Sequence, residues 1–320
     1  MYKLIKCSFC LLILVIQASI LRAQESKLDS ISEQYVFYSP EKSDFGVISF
    51  LGKGYKLLLG NNSDLILMGE ENLHLDTLNL KDNGVKGDLF SFMRFSNQSF
   101  SYASKKGSYF FRIVDDSIVL EESYSFRDIK KVHGKYTYAN ILPDGIIVFE
   151  SDDKENEFQF TFTLYSKQLE KRTAFEVAAE KKSEENYYFY RFYPESLFYD
   201  GTNLYFSNVY DHELILMNLK SNEIEKLDYP KVKARGNIQD AYIDVNNNEI
   251  YLVEFGYSGN KQDDIHLYTF EKENFNYFNS TSISSSSMRC GISNGKIIIV
   301  GKFANDFAFY LVPLSQIHML

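Results

Sequence analysis

The stretch "DGTNLYFSNVYDHELILMNLKSNEIEKLDY" covers residues 200–229 and decides the fold. Within it, the segments NLYFSN (203–208), ELILMNL (213–219) and EIEKLDY (223–229) are separated by short polar turns. SLFY (196–199) precedes the stretch as a further short apolar segment. Each turn carries residues that tolerate positive φ or bond to their own backbone. The stretch therefore predicts four strands joined as an antiparallel meander.

The same pattern recurs along the chain at a nearly constant step. The second strand of each predicted unit begins at Tyr55, Ser99, Ile146, Asn203, Glu249 and Lys296. The steps between these positions are 44, 47, 57, 46 and 47 residues, and the longest step contains the charged insertion AAEKKSEENYY (178–188). A period in the mid-forties with four strands per unit is typical of the blades of a β-propeller.

The repeat predicts an all-β fold, a six-bladed β-propeller with four-stranded antiparallel blades. The predicted blades cover residues 45–80, 89–126, 136–178, 190–229, 236–282 and 285–313. The last of these has three strands, and the isolated strand QYVFYS (34–39) is expected to complete it and close the ring. Closure would remove the open sheet edges that invite aggregation. A pair of β-sandwiches is the alternative fold.

The N-terminal segment resembles a secretory signal peptide. Lys3 and Lys6 precede the apolar run at 7–21, and Ala23 supplies a small residue at the expected cleavage point. Residues 1–23 are therefore predicted to be a signal peptide and residues 24–320 a single propeller domain. The protein is predicted to be exported to the periplasm or the extracellular space, where association with the cell envelope is one possibility. An uncleaved N-terminal membrane anchor is the alternative.

The composition limits the classes of partner. The chain has 320 residues, of which 45% are hydrophobic and 16% aromatic, with no Trp, and its formal charge is −9. Removal of the signal takes away three positive charges and no acids, so the remaining chain is more acidic still. Such a chain is repelled by nucleic acid and by anionic membrane surfaces, and no membrane insertion is expected after cleavage. Cys290 would then be the only cysteine, and it is expected to be a small buried residue.

Two parts of the sequence resemble known propeller families. The segment DGTNLYFSNVYDHELILMNL (200–219) resembles an NHL-type blade. The segments AYIDVNNNEIYLVEFGYSGNKQDDIHLYTFEKENFNYFN (241–279) and GISNGKIIIVGKFANDFAFYLVPL (291–314) resemble the TolB-like six-bladed propellers of exported bacterial proteins. The matching motifs are structural. The resemblance therefore implies an exported propeller without a defined chemistry.

No catalytic or metal-binding motif is found in the sequence. It contains no Walker motif, no GxGxxG, no HExxH and no Cys/His cluster with metal-ligand spacing. The five histidines are each interpreted as structural. We therefore expect a non-enzymatic binding or scaffolding module without a cofactor. A sensor or a structural component of an envelope assembly is a related possibility.

Arginines near the start of predicted first strands give the one candidate binding site. The residues of this predicted ligand-binding group are Arg94, Arg191, Arg235 and Arg289, with Tyr193 and Tyr242 beside them. First strands line the central channel of a propeller, so these side chains are expected at one mouth. A mouth rich in arginine and aromatic rings suits a small anionic or carbohydrate-like ligand or an unknown protein partner. Alternatively, the arginines pair with acids and hold the blades together.

A metal-dependent hydrolase of the lactonase type is the catalytic alternative. Some six-bladed propellers hold a metal ion on the axis, and here Glu195, Asn140 and Asp240 occupy roughly suitable positions in the sequence. Bound calcium is expected under this alternative only.

Overall fold

The structure is a computed structural model. It describes residues 47–49, 51, 55–60, 63–69, 74–96, 98–134, 138–153, 157–180, 197–208, 213–228, 237–246, 249–258, 262–271, 274–279, 288–293, 296–303 and 306–313. The predicted signal peptide and the predicted closing strand at 34–39 lie outside these residues.

The strands fall into consecutive groups, which we call units one to six. Unit one contains β1 (Val47–Ser49), β2 (Tyr55–Gly60), β3 (Asp64–Gly69) and β4 (His74–Asn79). Unit two contains β5 (Leu89–Ser96), β6 (Ser99–Ser104), β7 (Gly107–Val114) and β8 (Ser117–Ser125). Unit three contains β9 (Tyr138–Leu142), β10 (Gly145–Asp153), β11 (Glu157–Ser166) and β12 (Lys171–Glu180).

The second half of the chain continues the series. Unit four contains β13 (Leu197–Tyr199), β14 (Asn203–Asn208), β15 (Glu213–Asn218) and β16 (Ile224–Asp228). Unit five contains β17 (Asn237–Asn246), β18 (Glu249–Ser258), β19 (Gln262–Glu271) and β20 (Asn274–Asn279). Unit six contains β21 (Met288–Ser293), β22 (Lys296–Phe303) and β23 (Asp306–Pro313) among the described residues.

Within each unit, consecutive strands pair antiparallel, as the sequence predicts. One pairing between units was not predicted. The first strand of unit four, β13, pairs parallel with the first strand of unit two, β5, with Leu197 opposite Met93 and Phe198 opposite Arg94. This contact joins units two and four into one eight-stranded sheet and brings two first strands directly together.

The hydrophobic core lies between the units. The Phe162 ring of β11 packs 4.9 Å from the Phe206 ring of β14, which joins units three and four. Leu65 of unit one and Phe111 of unit two belong to another buried cluster, and Leu214 of unit four packs with residues of unit five. Strands buried on both faces carry continuous apolar runs rather than strict alternation. Repeated antiparallel sheets that pack face to face make this architecture propeller-like.

The turn at the start of the deciding stretch is held by one aspartate. The Asp200 carboxylate accepts hydrogen bonds from the backbone N–H groups of Thr202 and Asn203, at 2.8 and 2.7 Å. Its second oxygen accepts the Tyr205 hydroxyl at 2.8 Å. Gly201 has a φ of 96°, a conformation that favours glycine. The Asp-Gly pair therefore fixes the hairpin between β13 and β14.

A helix, α1 (Phe126–His133), links units two and three and was not predicted from the sequence. Ser125 caps its N-terminus by accepting a hydrogen bond from the Asp128 N–H, and Gly134 follows its last residue with a φ of 87°. Ile129 is buried against Ile146 and Val148 of β10. The helix therefore covers part of one face of unit three. None of the helices in the described part of the chain is long and apolar enough to cross a membrane.

Candidate functional site

Arg94 occupies the point at which the first strands of several units converge. It lies on β5, and its side chain is buried, with a relative exposure of 4%. One guanidinium nitrogen donates to the Leu51 carbonyl of unit one at 3.3 Å. The other terminal nitrogen donates to the Ile243 carbonyl of β17 at 2.7 Å. Arg94 therefore links units one, two and five by hydrogen bonds.

Two aromatic rings flank the same guanidinium. Its central carbon lies 4.6 Å from the centre of the Phe198 ring on β13 and 4.8 Å from the centre of the Tyr242 ring on β17. Both distances are within the range of a cation–π interaction, which strengthens when the partners are removed from water. With Phe198, unit four joins the contact. We call Arg94, Phe198 and Tyr242 the axial cluster.

The structure brings together two of the predicted ligand-binding residues. Arg94 and Tyr242 are in contact in the axial cluster, and both are buried. Arg289 lies on β21, opposite Val300 of β22. Arg191, Tyr193 and Arg235 lie outside the described residues. The contacts of Arg94 are of the kind expected for an arginine that holds units together, and ligand binding by this group of residues stays a prediction.

A second set of buried polar contacts joins units two and three. The Asn140 amide on β9 is fully buried and donates to the Ser101 hydroxyl on β6 at 3.1 Å. The Ser108 hydroxyl on β7 donates to the Ala139 carbonyl at 2.6 Å. These hydrogen bonds satisfy polar groups that would be costly to bury unpaired.

The residues of the hydrolase alternative do not form a recognisable metal site among the described residues. The Asn140 amide is engaged with Ser101 of the neighbouring unit. Asp240 lies at an irregularity in the pairing of β17 with β18, and Glu195 lies outside the described residues. In the part of the chain that the structure describes, no group of three or more His, Cys, Asp or Glu residues could hold a metal ion.

Sequence reasoning missed a cluster of titratable side chains beneath α1. The imidazole of His133, the last residue of α1, contacts the Tyr165 hydroxyl through Nδ1 and approaches the Glu150 carboxylate through Nε2, at 2.5 and 3.0 Å. Burial and the Glu150 charge raise the pKa of Tyr165 above its usual value of 10. These contacts attach the end of α1 to β10 and β11 of unit three. The sequence signal that could have indicated this cluster is His133, a basic residue in the last turn of α1.

The Asp200 turn carries perturbed groups as well. Burial would raise the pKa of Asp200, but the hydrogen bonds from Asn203, Tyr205 and Thr202 outweigh it and lower the pKa. Burial and the hydrogen bond to Asp200 raise the pKa of Tyr205. Burial, followed by the charges of Asp144 and Asp200, raises the pKa of Tyr199 to about 12. Burial, hydrogen bonds and neighbouring charges within the turn explain all three pKa shifts, so these shifts do not indicate a ligand site.

The comparisons with known proteins give structural similarity only. No family model matches the chain, and no curated protein matches it significantly. The TolB-like and NHL-like resemblances therefore stay expectations.

Three solved structures of propeller-like β proteins are similar to the chain at low identity. The AfRom2 CNH domain is 9% identical with a TM-score of 0.39, over 87% of this chain and 99% of that one. Hydrazine synthase from Kuenenia stuttgartiensis is 10% identical with a TM-score of 0.39, over 81% and 74%. A hypothetical selenium-binding protein from Sulfolobus tokodaii is 10% identical with a TM-score of 0.40, over 81% of this chain and 70% of that one. Similarities this distant carry no function over to this chain.

Proposed function

We propose that the protein is an exported, non-enzymatic β-propeller of six blades that binds a ligand or a partner protein. The observation that carries this proposal is the axial cluster. The guanidinium of Arg94, a residue of unit two, contacts residues of units one, four and five. Such contacts are expected if first strands surround a common axis. In the proposed ring the six units are the six blades, and the segment at 34–39 pairs with β23 to complete unit six.

In this ring, the beginnings of the first strands would surround one mouth. Arg191 and Tyr193 precede β13, Arg235 precedes β17, and Arg289 is the second residue of β21. Arginine offers several donors in a planar fork that suits carboxylate and phosphate groups. The proposed ligand is therefore a small anionic or carbohydrate-like molecule, or an acidic segment of a partner protein. The axial cluster would act as a rigid base beneath this mouth.

The hydrolase alternative receives no specific support. It requires an accessible set of oxygen ligands on the axis, whereas the Asn140 amide donates to Ser101 and is fully buried. Binding or scaffolding needs only a rigid framework with varied loops, and loops on a rigid scaffold commonly carry binding residues.

Titration of the chain covering residues 24–320 with probe ligands tests the proposal. Tri-galacturonic acid supplies both a carbohydrate and carboxylates, and maltotriose is the neutral control. We expect calorimetry to detect binding of the acidic sugar only. The double variant Arg191→Gln/Arg235→Gln should weaken this binding at least about tenfold, because two charge-assisted contacts are lost. A matched variant, Arg112→Gln/Arg172→Gln, removes two exposed arginines of units two and three and should bind as the parent does.

The protein-partner form of the proposal has its own readout. The tagged chain is used to capture partners from the envelope fraction of the source cells, and the captured proteins are identified by mass spectrometry. A protein retained by the parent and by Arg112→Gln/Arg172→Gln, but lost with Arg191→Gln/Arg235→Gln, would support the mouth as a protein-binding site. If neither probe nor protein distinguishes the two double variants, the proposed mouth is wrong.

A further inference from the structure

One surface of this acidic chain is strongly basic. Its exposed cations come from three segments: the connection before β5, the turn between β6 and β7, and helix α1. We call them the basic patch, and they are Lys86, Lys105, Lys106, Arg127, Lys130 and Lys131. The whole chain carries a formal charge of −9, so this concentration of positive charge is local.

Direct contacts hold the three segments together. The N–H of Phe126, the first residue of α1, donates to the Lys106 carbonyl at 2.9 Å. The Lys106 side chain lies against Gly87, where a Cβ would come within 3.0 Å of the lysine Cγ. The Lys86 carbonyl accepts the Ser104 hydroxyl at 2.7 Å. The three segments that carry the six exposed cations are therefore adjacent in the structure.

Few acids offset this charge. Within residues 86–88, 105–106 and 126–131, the only carboxylates are those of Asp88 and Asp128. Asp128 accepts the Ser125 hydroxyl at 2.6 Å and lies 3.7 Å from Lys131. Four cations therefore remain in excess over these two acids.

We infer that the basic patch docks on the surface of an anionic lipid bilayer. Five of the six cations are lysines, which act as flexible point charges, whereas bidentate recognition of a single phosphate favours arginine. Clusters of Lys and Arg side chains attract anionic lipids. Here the helix α1 supplies three of the six cations, and the two adjoining connections supply the other three. Val132 of α1 is 44% exposed and supplies an apolar side chain beside the cations.

Local charge decides this contact in spite of the acidity of the whole chain. At physiological ionic strength the screening length is about 8 Å, so lipid headgroups that touch the patch are largely screened from distant carboxylates. The acidic remainder of the surface would be repelled, which orients the molecule with the patch toward the bilayer. The general repulsion from anionic membranes that the net charge predicts thus has an exception at this surface. The patch lies at the same end of the units as the beginnings of the first strands, because it includes the connection before β5 and the helix before β9. It shares no residue with the proposed mouth, so different variants test the two proposals.

Vesicle flotation with the chain covering residues 24–320 tests the inference. The probes are vesicles of phosphatidylcholine with 30% phosphatidylglycerol, and vesicles of phosphatidylcholine alone. We expect the protein to float with the anionic vesicles only, and 0.5 M NaCl to release it. The variant Lys105→Gln/Arg127→Gln should weaken binding roughly 25-fold, because each cation near an anionic surface contributes about fivefold.

Two controls separate this effect from unfolding and from net charge. The variant Lys220→Gln/Lys226→Gln removes the same charge from exposed sites on unit four and should bind as the parent does. The variant Arg127→Lys keeps the charge and should also bind. Equal binding to neutral vesicles, or equal losses in both double variants, would overturn the inference. A protein that binds a soluble polyanion such as polyglutamate through the patch, but no vesicle, would also overturn it.

Discussion

Arg94 shows how a single residue can connect distant parts of the chain. Its guanidinium group donates hydrogen bonds to carbonyls of two different units and lies between two aromatic rings. We predict that Arg94→Lys lowers the free energy of unfolding by about 2–4 kcal/mol, because an ammonium group cannot reproduce both hydrogen bonds and one buried carbonyl loses its donor. Urea unfolding followed by circular dichroism measures the change.

An exposed arginine of the same unit provides the matched control. Arg112 of β7 forms a 3.1 Å ion pair with Glu121, and its side chain is 53% exposed. Arg112→Lys should change the unfolding free energy by less than about 1 kcal/mol, because exposed ion pairs contribute little. If both substitutions lower the unfolding free energy equally, the role of Arg94 in holding the units together is contradicted.

The lowered pKa of Asp200 predicts that the stability of the folded protein depends on pH. Its pKa is lower in the folded protein than the ordinary value of 3.8, so its stabilising contribution is complete above that pH and is lost as the pH falls through the folded pKa. Asp200→Asn should lower stability at pH 7 by about 1–2 kcal/mol, and the difference from the parent should shrink below pH 3.8. Thermal unfolding between pH 7 and pH 3 measures it. A difference that stays constant down to pH 3, or that Asp152→Asn reproduces, would contradict the assignment.

At the scale of elements, strands were easier to predict than the helix. The segments 203–208 and 213–219 correspond closely to β14 and β15, because a turn residue marks each end. Helix α1 was missed, although Ser125 and Gly134 are ordinary capping residues. A helix of eight residues within a chain of strands gives little periodicity, and its stability depends on packing against unit three.

The pairing of β10 with β11 depends on a glycine for space. A Cβ on Gly145 would lie 2.2 Å from the Tyr165 carbonyl oxygen, which belongs to the paired backbone of β11. We predict that Gly145→Ala lowers the unfolding free energy by about 1–3 kcal/mol, since the two strands must move apart. Gly69→Ala is the control, because its Cβ would meet only the Leu75 side chain at 3.2 Å. Equal denaturation midpoints for the two variants would show that the close approach is unimportant.

At the scale of the whole molecule, the order of units followed from the sequence but their contacts did not. The repeat places Arg94 and Tyr242 on first strands, yet nothing in the sequence indicates that one guanidinium reaches a carbonyl 149 residues away. The parallel pairing of β5 with β13 could not be predicted from the sequence either, because it depends on how the first strands pack together and not on a local pattern. Local periodicity predicts elements, whereas the contacts of a buried cluster arise from the packing of all of them.

Ring closure is the property of the whole molecule that can be tested most directly. In the proposed ring, the segment at 34–39 pairs with β23 and satisfies its backbone groups. A chain covering residues 40–320 should therefore unfold at a lower temperature than one covering 24–320 and should associate as its concentration rises, because β23 would present an unpaired edge. A chain covering residues 34–320 retains the segment and should match the longer chain. Calorimetry and light scattering on the three chains measure both effects, and a stable, monomeric 40–320 chain would contradict closure by this segment.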